Sequence, residues 1–291
     1  MSSTIMEEER LNSPSTSAIC LEVMGHYLQF SQDPNSKHLG TTVWDASMVF
    51  IKFLERNCRK GRFSPSKLKG KRVVELGAGC GVAGFGMAML GCNVVVTDQR
   101  EVLPLLMRNV ERNTSRISQV NHDQESFGSV QVEELVWGNE DHIRAVEPPF
   151  DFIVGTDIVY SEHLLEPLLR TIIALSGPRT TILLGYEIRS TSVHEKMLNM
   201  WKENFEVKSI PRSKMDRSYQ HPSIHLYMME VKTSARNVEM ASDEDEHRGE
   251  NQKGEEDGSL PDNTRNAQLS QWETRRIGSM AARLLRDVRI S

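Results

Sequence analysis

The sequence predicts an α/β fold in which a mostly parallel sheet carries helices on both faces, and three observations support that expectation. Short apolar runs alternate with helix-length stretches from about residue 71 to residue 204. The first apolar run breaks into glycines immediately before a second apolar stretch, as a strand, turn and buried helix would. Two last apolar runs have only a turn-rich loop between them, so they add an antiparallel hairpin at the edge of the sheet without a crossover helix.

Taken in order, residues 1–17 are polar and are expected to be disordered. AICLEVMGHYLQFSQ (18–32) alternates loosely around Gly25 as a short hairpin. VWDASMVFIKFLERN (43–57) sets Trp44, Met48 and Ile51 near helical spacing, with Thr42 as a candidate N-cap. KRVVEL is the first core strand, the glycine turn follows, and VAGFGMAML is its helix. NVVVTD (93–98), QVEELVWG (131–138), FDFIVGTDIVY (150–160) and TTILLGYEI (180–188) read as further strands, Trp137 ending the second of these four. Helices are expected over 101–113, over LLEPLLRTIIALS and near 192–204, and FEVKSI with IHLYMMEV forms the closing hairpin. The catalytic-sized domain therefore spans 18–232. Residues 233–267 are acidic and almost free of apolar side chains, as a disordered linker is, and 268–291 are expected to form a basic amphipathic helix, with an unstructured tail as the alternative. On that helix Ile277, Met280, Leu284 and Val288 share one stripe, with Arg275, Arg283, Arg286 and Arg289 opposite; a partner protein or an anionic membrane surface is the expected docking target.

Bulk properties narrow the function. With 291 residues and 38% hydrophobic content the chain can bury a sizeable core. A formal charge of −5 gives no global basic surface, so nucleic acid is not the expected partner. The 4 cysteines are scattered, without a CxxC pair or metal-ligand spacing, which predicts reduced thiols, no metal, and a cytoplasmic or also nuclear location. No stretch approaches the length of a membrane span, and MSSTIMEEER does not resemble a signal peptide.

The chemistry concentrates at the strand ends, where open parallel sheets bind ligands near the point at which strand order reverses. Gly77, Ala78, Gly79 and Gly81 form a turn that lets the backbone approach a bulky ligand, with amides at the following helix start expected as donors. Asp98 closes the next strand, where a carboxylate can accept both hydroxyls of a ribose. Alone, this loop suits NAD, S-adenosylmethionine or a purely structural turn, since Gly79 to Gly84 also matches GxGxxG. Trp44 and Trp137 alone read as core aromatics; for Asp98 a helix cap, and for Glu75 a brace for the loop, are the alternatives to a role at the ligand. Tyr186, Glu187 and Arg189, just past a strand end, read as a solvated turn.

The pieces VWDAS (43–47), VVELGAGCGVAG (73–84), VVVTD (94–98), LVWG (135–138) and GTDIVY (155–160) together resemble the seven-strand methyltransferases of the methyltransferase-like family 16, most of all the lysine methyltransferases of its twenty-one branch. The resemblance spans roughly residues 20–230 and implies a Rossmann-like seven-stranded sheet. It also implies S-adenosylmethionine as cofactor, bound by Trp44, Gly77, Ala78, Gly79, Gly81, Asp98, Trp137 and Thr156, with Glu75 in support. Asp157 and Tyr160 match the family's DxxY signature beside the acceptor entrance and are the expected catalytic pair. Thr156 departs from the smaller residue common among relatives, and the C-terminal extension has no counterpart. The implied acceptor is a lysine of a folded protein such as a chaperone, an AAA ATPase or an elongation factor.

In that chemistry Asp157 is expected to orient the amine, with Tyr160 and, as a further candidate, Tyr186 forming an aromatic wall for a cationic guest. The rival readings are an NAD-dependent oxidoreductase, for which no hydride-transfer acid or Tyr-x-x-x-Lys pair stands at the strand ends, and a catalytically silent binding module.

Overall fold

The structure is a computed structural model that describes residue 11, residues 15–120 and residues 127–232. The expected linker at 233–267, the terminal helix at 268–291 and most of the expected N-terminal tail lie outside these residues. β1 (Ala18–Val23) and β2 (His26–Ser31) form the antiparallel hairpin. Its turn runs through Met24 and Gly25 at φ 50° and 79°, the left-handed pair that matches the twist of a two-residue hairpin. There follow α1 (Asp45–Asn57), α2 (Pro65–Leu68), β3 (Arg72–Leu76), α3 (Val82–Ala88), β4 (Asn93–Asp98), α4 (Leu103–Val120) and β5 (Ser129–Glu134). Then come α5 (Glu140–Ala145), β6 (Phe150–Thr156), α6 (Leu165–Leu175), β7 (Ser176–Glu187), α7 (Thr191–Asn204), β8 (Phe205–Ser209) and β9 (Ile224–Val231).

The main sheet has the order β5-β4-β3-β6-β7-β9-β8. Strands β3 to β7 are mutually parallel, and β9 is antiparallel to both its neighbours, so it slots between β7 and β8 while β8 at the edge runs with the parallel set. The order reverses between β3 and β6, which puts the ligand-binding crevice at their carboxyl ends.

Side chains alternate between two cores, as strand geometry requires. Val73, Phe152, Val154 and Leu183 pack toward the hairpin, α1, α3 and α4. Val74, Leu76, Ile153, Ile182 and Leu184 pack toward α5, α6 and α7. Each fully buried aliphatic chain contributes about 1.5–3 kcal/mol, which is why strands buried on both faces read as unbroken apolar runs.

Several elements depart from the sequence expectation. Thr42 is not the cap of α1: Trp44 occupies the N-cap position without a side-chain bond, and the amide of Ala46 is instead accepted by Asp157 Oδ2 at 3.3 Å. β5 stops at Glu134, leaving Trp137 in the turn beyond it rather than at a strand end. α5 was not expected; six residues are too few to show a period, although Asn139 caps it by accepting from Asp141 N at 3.0 Å. α4 continues past Asn113 to Val120 because Asn113 is not a helix stop but a tether.

That tether fixes the hairpin to the domain. Asn109 and Asn113, four residues apart on one face of α4 and both fully buried, imitate a neighbouring strand. Asn113 Oδ1 accepts from Gln29 N at 2.9 Å while its Nδ2 donates to Gln29 O at 3.0 Å. Asn109 makes the same pair with Ser31, at 2.8 and 3.1 Å, and also donates to Cys80 O at 3.2 Å in the glycine turn. Replacing Asn113 by alanine strands two backbone groups of β2, so Asn113→Ala is expected to lower unfolding free energy by about 1–3 kcal/mol in urea denaturation. A loss within about 0.5 kcal/mol, the range of an ordinary surface substitution, contradicts the tether.

Candidate functional site

A cleft of about 230 Å3 opens at the carboxyl ends of β3, β4 and β6, where the sheet order reverses. Its floor is the turn after β3. Gly77 and Gly79 have φ of 59° and 57°, backbone that favours glycine, and the space a side chain needs is already taken. A Cβ on Gly79 would fall 2.9 Å from Gly40 O, and one on Gly77 would fall 2.8 Å from Ile158 Cγ2 and 3.3 Å from the Trp137 ring. Segment 37–44 therefore lies directly over the turn. Trp44 fastens it by donating Nε1–H to Leu39 O at 3.0 Å.

Two buried carboxylates hold the turn from within. Asp98 Oδ2 accepts from Gly79 N at 2.8 Å and its Oδ1 from Gln99 N at 2.7 Å. Glu75 Oε2 accepts from Gly84 N at 2.8 Å, while its Oε1 has no partner. The loop amides expected to serve a ligand are thus largely committed: Ala78 N goes to Thr97 O, Gly81 N to Ala78 O, Gly79 N to Asp98 and Gly84 N to Glu75. At the start of α3 the Gly81 and Gly84 amides are therefore spent within the protein, whereas Val82, its first residue, lines the cleft. The Asp98 carboxylate lines the cleft and keeps a second lone pair on each oxygen. Asp98 is no helix cap, since α4 begins only at Leu103. Burial raises the pKa of Asp98, opposed by the Gly79 and Gln99 amides. Burial pushes Glu75 up to about 8, with the nearby Asp98 charge adding to the rise. It also pushes the Cys80 thiol up to about 12, so that cysteine is inert.

Asp157 sits one residue past β6 at φ 56°, uncommon for a non-glycine residue. Its own N–H donates to Gly185 O at 2.7 Å, and its carboxylate, with only 2% of the side chain exposed, gathers three donors. Ala46 N reaches Oδ2 at 3.3 Å; Glu187 N and Arg189 reach Oδ1 at 3.0 and 3.1 Å. Burial raises its pKa, against the lowering effect of Arg189 and those amides. Tyr160 lines the same cleft three residues on.

Of the residues singled out in the sequence, Trp44, Gly77, Ala78, Gly79, Asp98, Trp137, Thr156, Asp157 and Tyr160 all line this one cleft. Glu75 and Gly81 do not. Glu75 braces from behind, on the same strand face as Val73, and Gly81 makes the left-handed start of α3, where a Cβ would meet Leu106 at 2.9 Å. Tyr186 is not part of the wall: it is 1% exposed, bonds to His194 Nδ1 at 2.7 Å and stacks on Tyr227. Alternation from Ile182 and Leu184 sends it to the α6–α7 side. Sequence reasoning missed Lys37, His38 and Gly40, which line the cleft from an irregular segment with no period to read, and Arg189, which is paired rather than solvated. Among the described residues no cluster of His, Cys, Asp and Glu could hold a metal ion.

The sheet order, with one antiparallel strand beside the last parallel one, and an acid-braced glycine turn at the switch point define a Rossmann-like methyltransferase. The family described as lysine methyltransferase matches residues 23–204, and the chain belongs to it. It is 36% identical over 185 residues to protein N-lysine methyltransferase METTL21A of Danio rerio, covering 64% of this chain and 77% of that protein. It is 33% identical to METTL21A of Mus musculus over 64% and 77% of the two chains. Identity to EEF1A lysine methyltransferase 3 of Xenopus tropicalis is 34%, over 50% of this chain and 57% of that one. A solved T. thermophilus 16S rRNA methyltransferase in complex with AdoMet and guanosine shares the fold at TM-score 0.51 and 16% identity, covering 74% of this chain and 50% of that one. The chain is accordingly an S-adenosylmethionine-dependent methyltransferase.

The raised pKa of Glu75 has a consequence for stability. In the unfolded chain Glu75 loses its proton near 4.5, whereas in the fold it keeps it to about 8. Between those values the folded state binds more protons, so stability falls as pH rises. Glu75→Gln keeps an acceptor for Gly84 N and stays neutral. It is expected to flatten the stability profile between pH 5 and 8 and to gain about 1–3 kcal/mol at pH 7, measured by denaturation at several pH values. An unchanged slope would show that Glu75 is ionised in the fold.

Proposed function

We propose that the chain transfers methyl groups from S-adenosylmethionine to the side-chain amine of a lysine in a folded protein. The observation that carries this reading is the convergence of Asp98, the glycine turn and Asp157 with Tyr160 on one cleft. When bound, S-adenosylmethionine would supply an electrophilic methyl on a sulfonium sulfur; the lone pair of the acceptor nitrogen would form the N–C bond in line as the S–C bond breaks, with S-adenosylhomocysteine leaving as the neutral thioether.

Each part of the cleft has a task in this scheme. Asp98 would accept the ribose hydroxyls, and Gly77 and Gly79, which have no side chain, would let the adenosyl group lie against the backbone. Trp44 and Trp137 flank that seat, Thr156 lines its wall, and Glu75 and Gly81 keep the turn in shape. Asp157 and Tyr160 stand at the acceptor mouth, where they orient the amine. A lysine amine with a pKa near 10.4 is neutral in less than about one part in a thousand at pH 7. Holding the rare neutral form in line with the methyl carbon is therefore the main catalytic contribution, and the proton leaves to water.

Chaperones, AAA ATPases and elongation factors are the acceptor classes we favour, and the likeness to an EEF1A lysine methyltransferase supports the last of them. The free thiols of Cys20, Cys58, Cys80 and Cys92 suit the reducing cytoplasm or nucleus, where such acceptors reside.

The decisive experiment incubates the full chain with methyl-labelled S-adenosylmethionine and a cell extract, then maps the labelled residue by mass spectrometry. Label on lysine is expected; label confined to arginine, histidine or small amines overturns the acceptor assignment. Asp98→Ala is expected to weaken S-adenosylmethionine binding tenfold or more, the loss of a charge-assisted bond or two. Tyr160→Phe is expected to leave that affinity within about threefold while turnover falls. Equal effects of the two substitutions on cofactor affinity would contradict the division of the cleft into a donor half and an acceptor half.

A further inference from the structure

Beyond the lining residues, a network ties the acceptor mouth together from outside the cleft. The Arg189 guanidinium, on a side chain 10% exposed, donates to Asp157 Oδ1 at 3.1 Å and forms an ion pair with Glu187 Oε2 at 2.8 Å. Its Cζ lies over the Trp44 ring, 4.9 Å from the centroid. One side chain therefore touches both a cleft-lining carboxylate and a cleft-lining aromatic. Only arginine offers this combination, because its planar fork can serve two carboxylates while its face stacks on an aromatic ring.

We propose that Arg189 is a positioning residue for methyl transfer, holding the Asp157 carboxylate and the Trp44 ring in place and leaving the acceptor mouth one negative charge short of balance. The proposal rests on the lysine-transfer reading above. Asp157 and Glu187 bring two negative charges and Arg189 one positive, so the trio carries a net −1, which a single lysine ammonium completes. Glu187, with 30% of its side chain exposed, is the member that an approaching protein can reach.

The groups facing Asp157 support this division. Glu187 and Arg189 approach from the end of β7, and α1 offers the Ala46 amide; Asp45 on the same helix turn accepts the Leu11 amide instead. Arg189 is thus the cation that compensates a carboxylate whose burial opposes ionisation. Without it Asp157 takes up a proton more readily and no longer attracts an ammonium ion.

The test reads Asp157 directly. In the full chain labelled with 13C at the aspartate carboxyls, the Asp157 resonance is assigned by its loss in Asp157→Asn and then titrated by NMR. Arg189→Met is expected to raise the midpoint by a unit or more, a tenfold gain in proton affinity, and Arg189→Lys to leave it within half a unit. Arg189→Gln, which keeps a donor but not the charge, takes the place of Arg189→Met if that chain does not fold. An unmoved midpoint in the neutral variant overturns the proposal. Because this titration needs neither acceptor nor cofactor, its failure is distinct from failure of the lysine-transfer reading. With the acceptor found by labelling, Arg189→Lys is expected to raise the acceptor KM severalfold, well beyond any weakening of S-adenosylmethionine binding through its contact with Trp44. An unchanged acceptor KM, or cofactor affinity falling in parallel, also overturns it.

Discussion

Two carboxylates buried beneath a glycine turn determine the shape of the cleft. Glu75 and Asp98 end or nearly end adjacent parallel strands; Asp98 takes the Gly79 amide of the turn and Glu75 the Gly84 amide in the first turn of α3. Desolvating an acid is costly, and here the cost is offset unequally. Asp98 has an amide on each oxygen and keeps lone pairs for the cleft, whereas Glu75 has one oxygen without a partner and is driven toward the neutral form. One acid is thus available for ligand hydroxyls and the other is a brace. The turn then passes through left-handed backbone at Gly77, Gly79 and Gly81, and the missing side chain of Gly79 leaves room for the segment around Gly40 to close over it.

The same economy of contacts links the acceptor side to the rest of the fold. Asp157 caps α1 through the Ala46 amide and anchors the end of β7 through Glu187 N and Arg189, so the first helix and the two central strands meet at one carboxylate. α1 in turn starts at Trp44, which pins Leu39 and thereby the covering segment. On the far side of that segment the hairpin is held by Asn109 and Asn113, and Asn109 also reaches the glycine turn. Donor cleft, acceptor mouth and cover are consequently one connected hydrogen-bonded system, in which a change at one member is felt by the others.

Much of this was legible in the sequence because it is written locally. Strand-turn-helix at Arg72 to Ala88 and the acids at Asp98 and Asp157 stand at strand ends, and a parallel sheet gathers strand ends into one place. What could not be read depends on long-range pairing. Arg189 lies 32 positions from Asp157, and Ala46 lies 111 positions from it, so neither a solvated-turn reading of Arg189 nor a Thr42 cap could be corrected without the fold. Asn113 resembled a helix end until its partner on β2 was known. Tyr186 reads in the sequence as a solvated turn or a further wall candidate, whereas in the fold the alternation from Ile182 and Leu184 turns it to the buried α6–α7 face.

A crystal structure of the full chain with S-adenosylhomocysteine bound tests the central claim most directly. The account predicts the ribose hydroxyls on the Asp98 carboxylate, the adenosyl group against Gly77 to Gly79 beneath the segment at Gly40, and the sulfur facing Asp157 and Tyr160. An adenosyl group seated elsewhere, or an Asp98 carboxylate that keeps only its Gly79 and Gln99 amides, would contradict it.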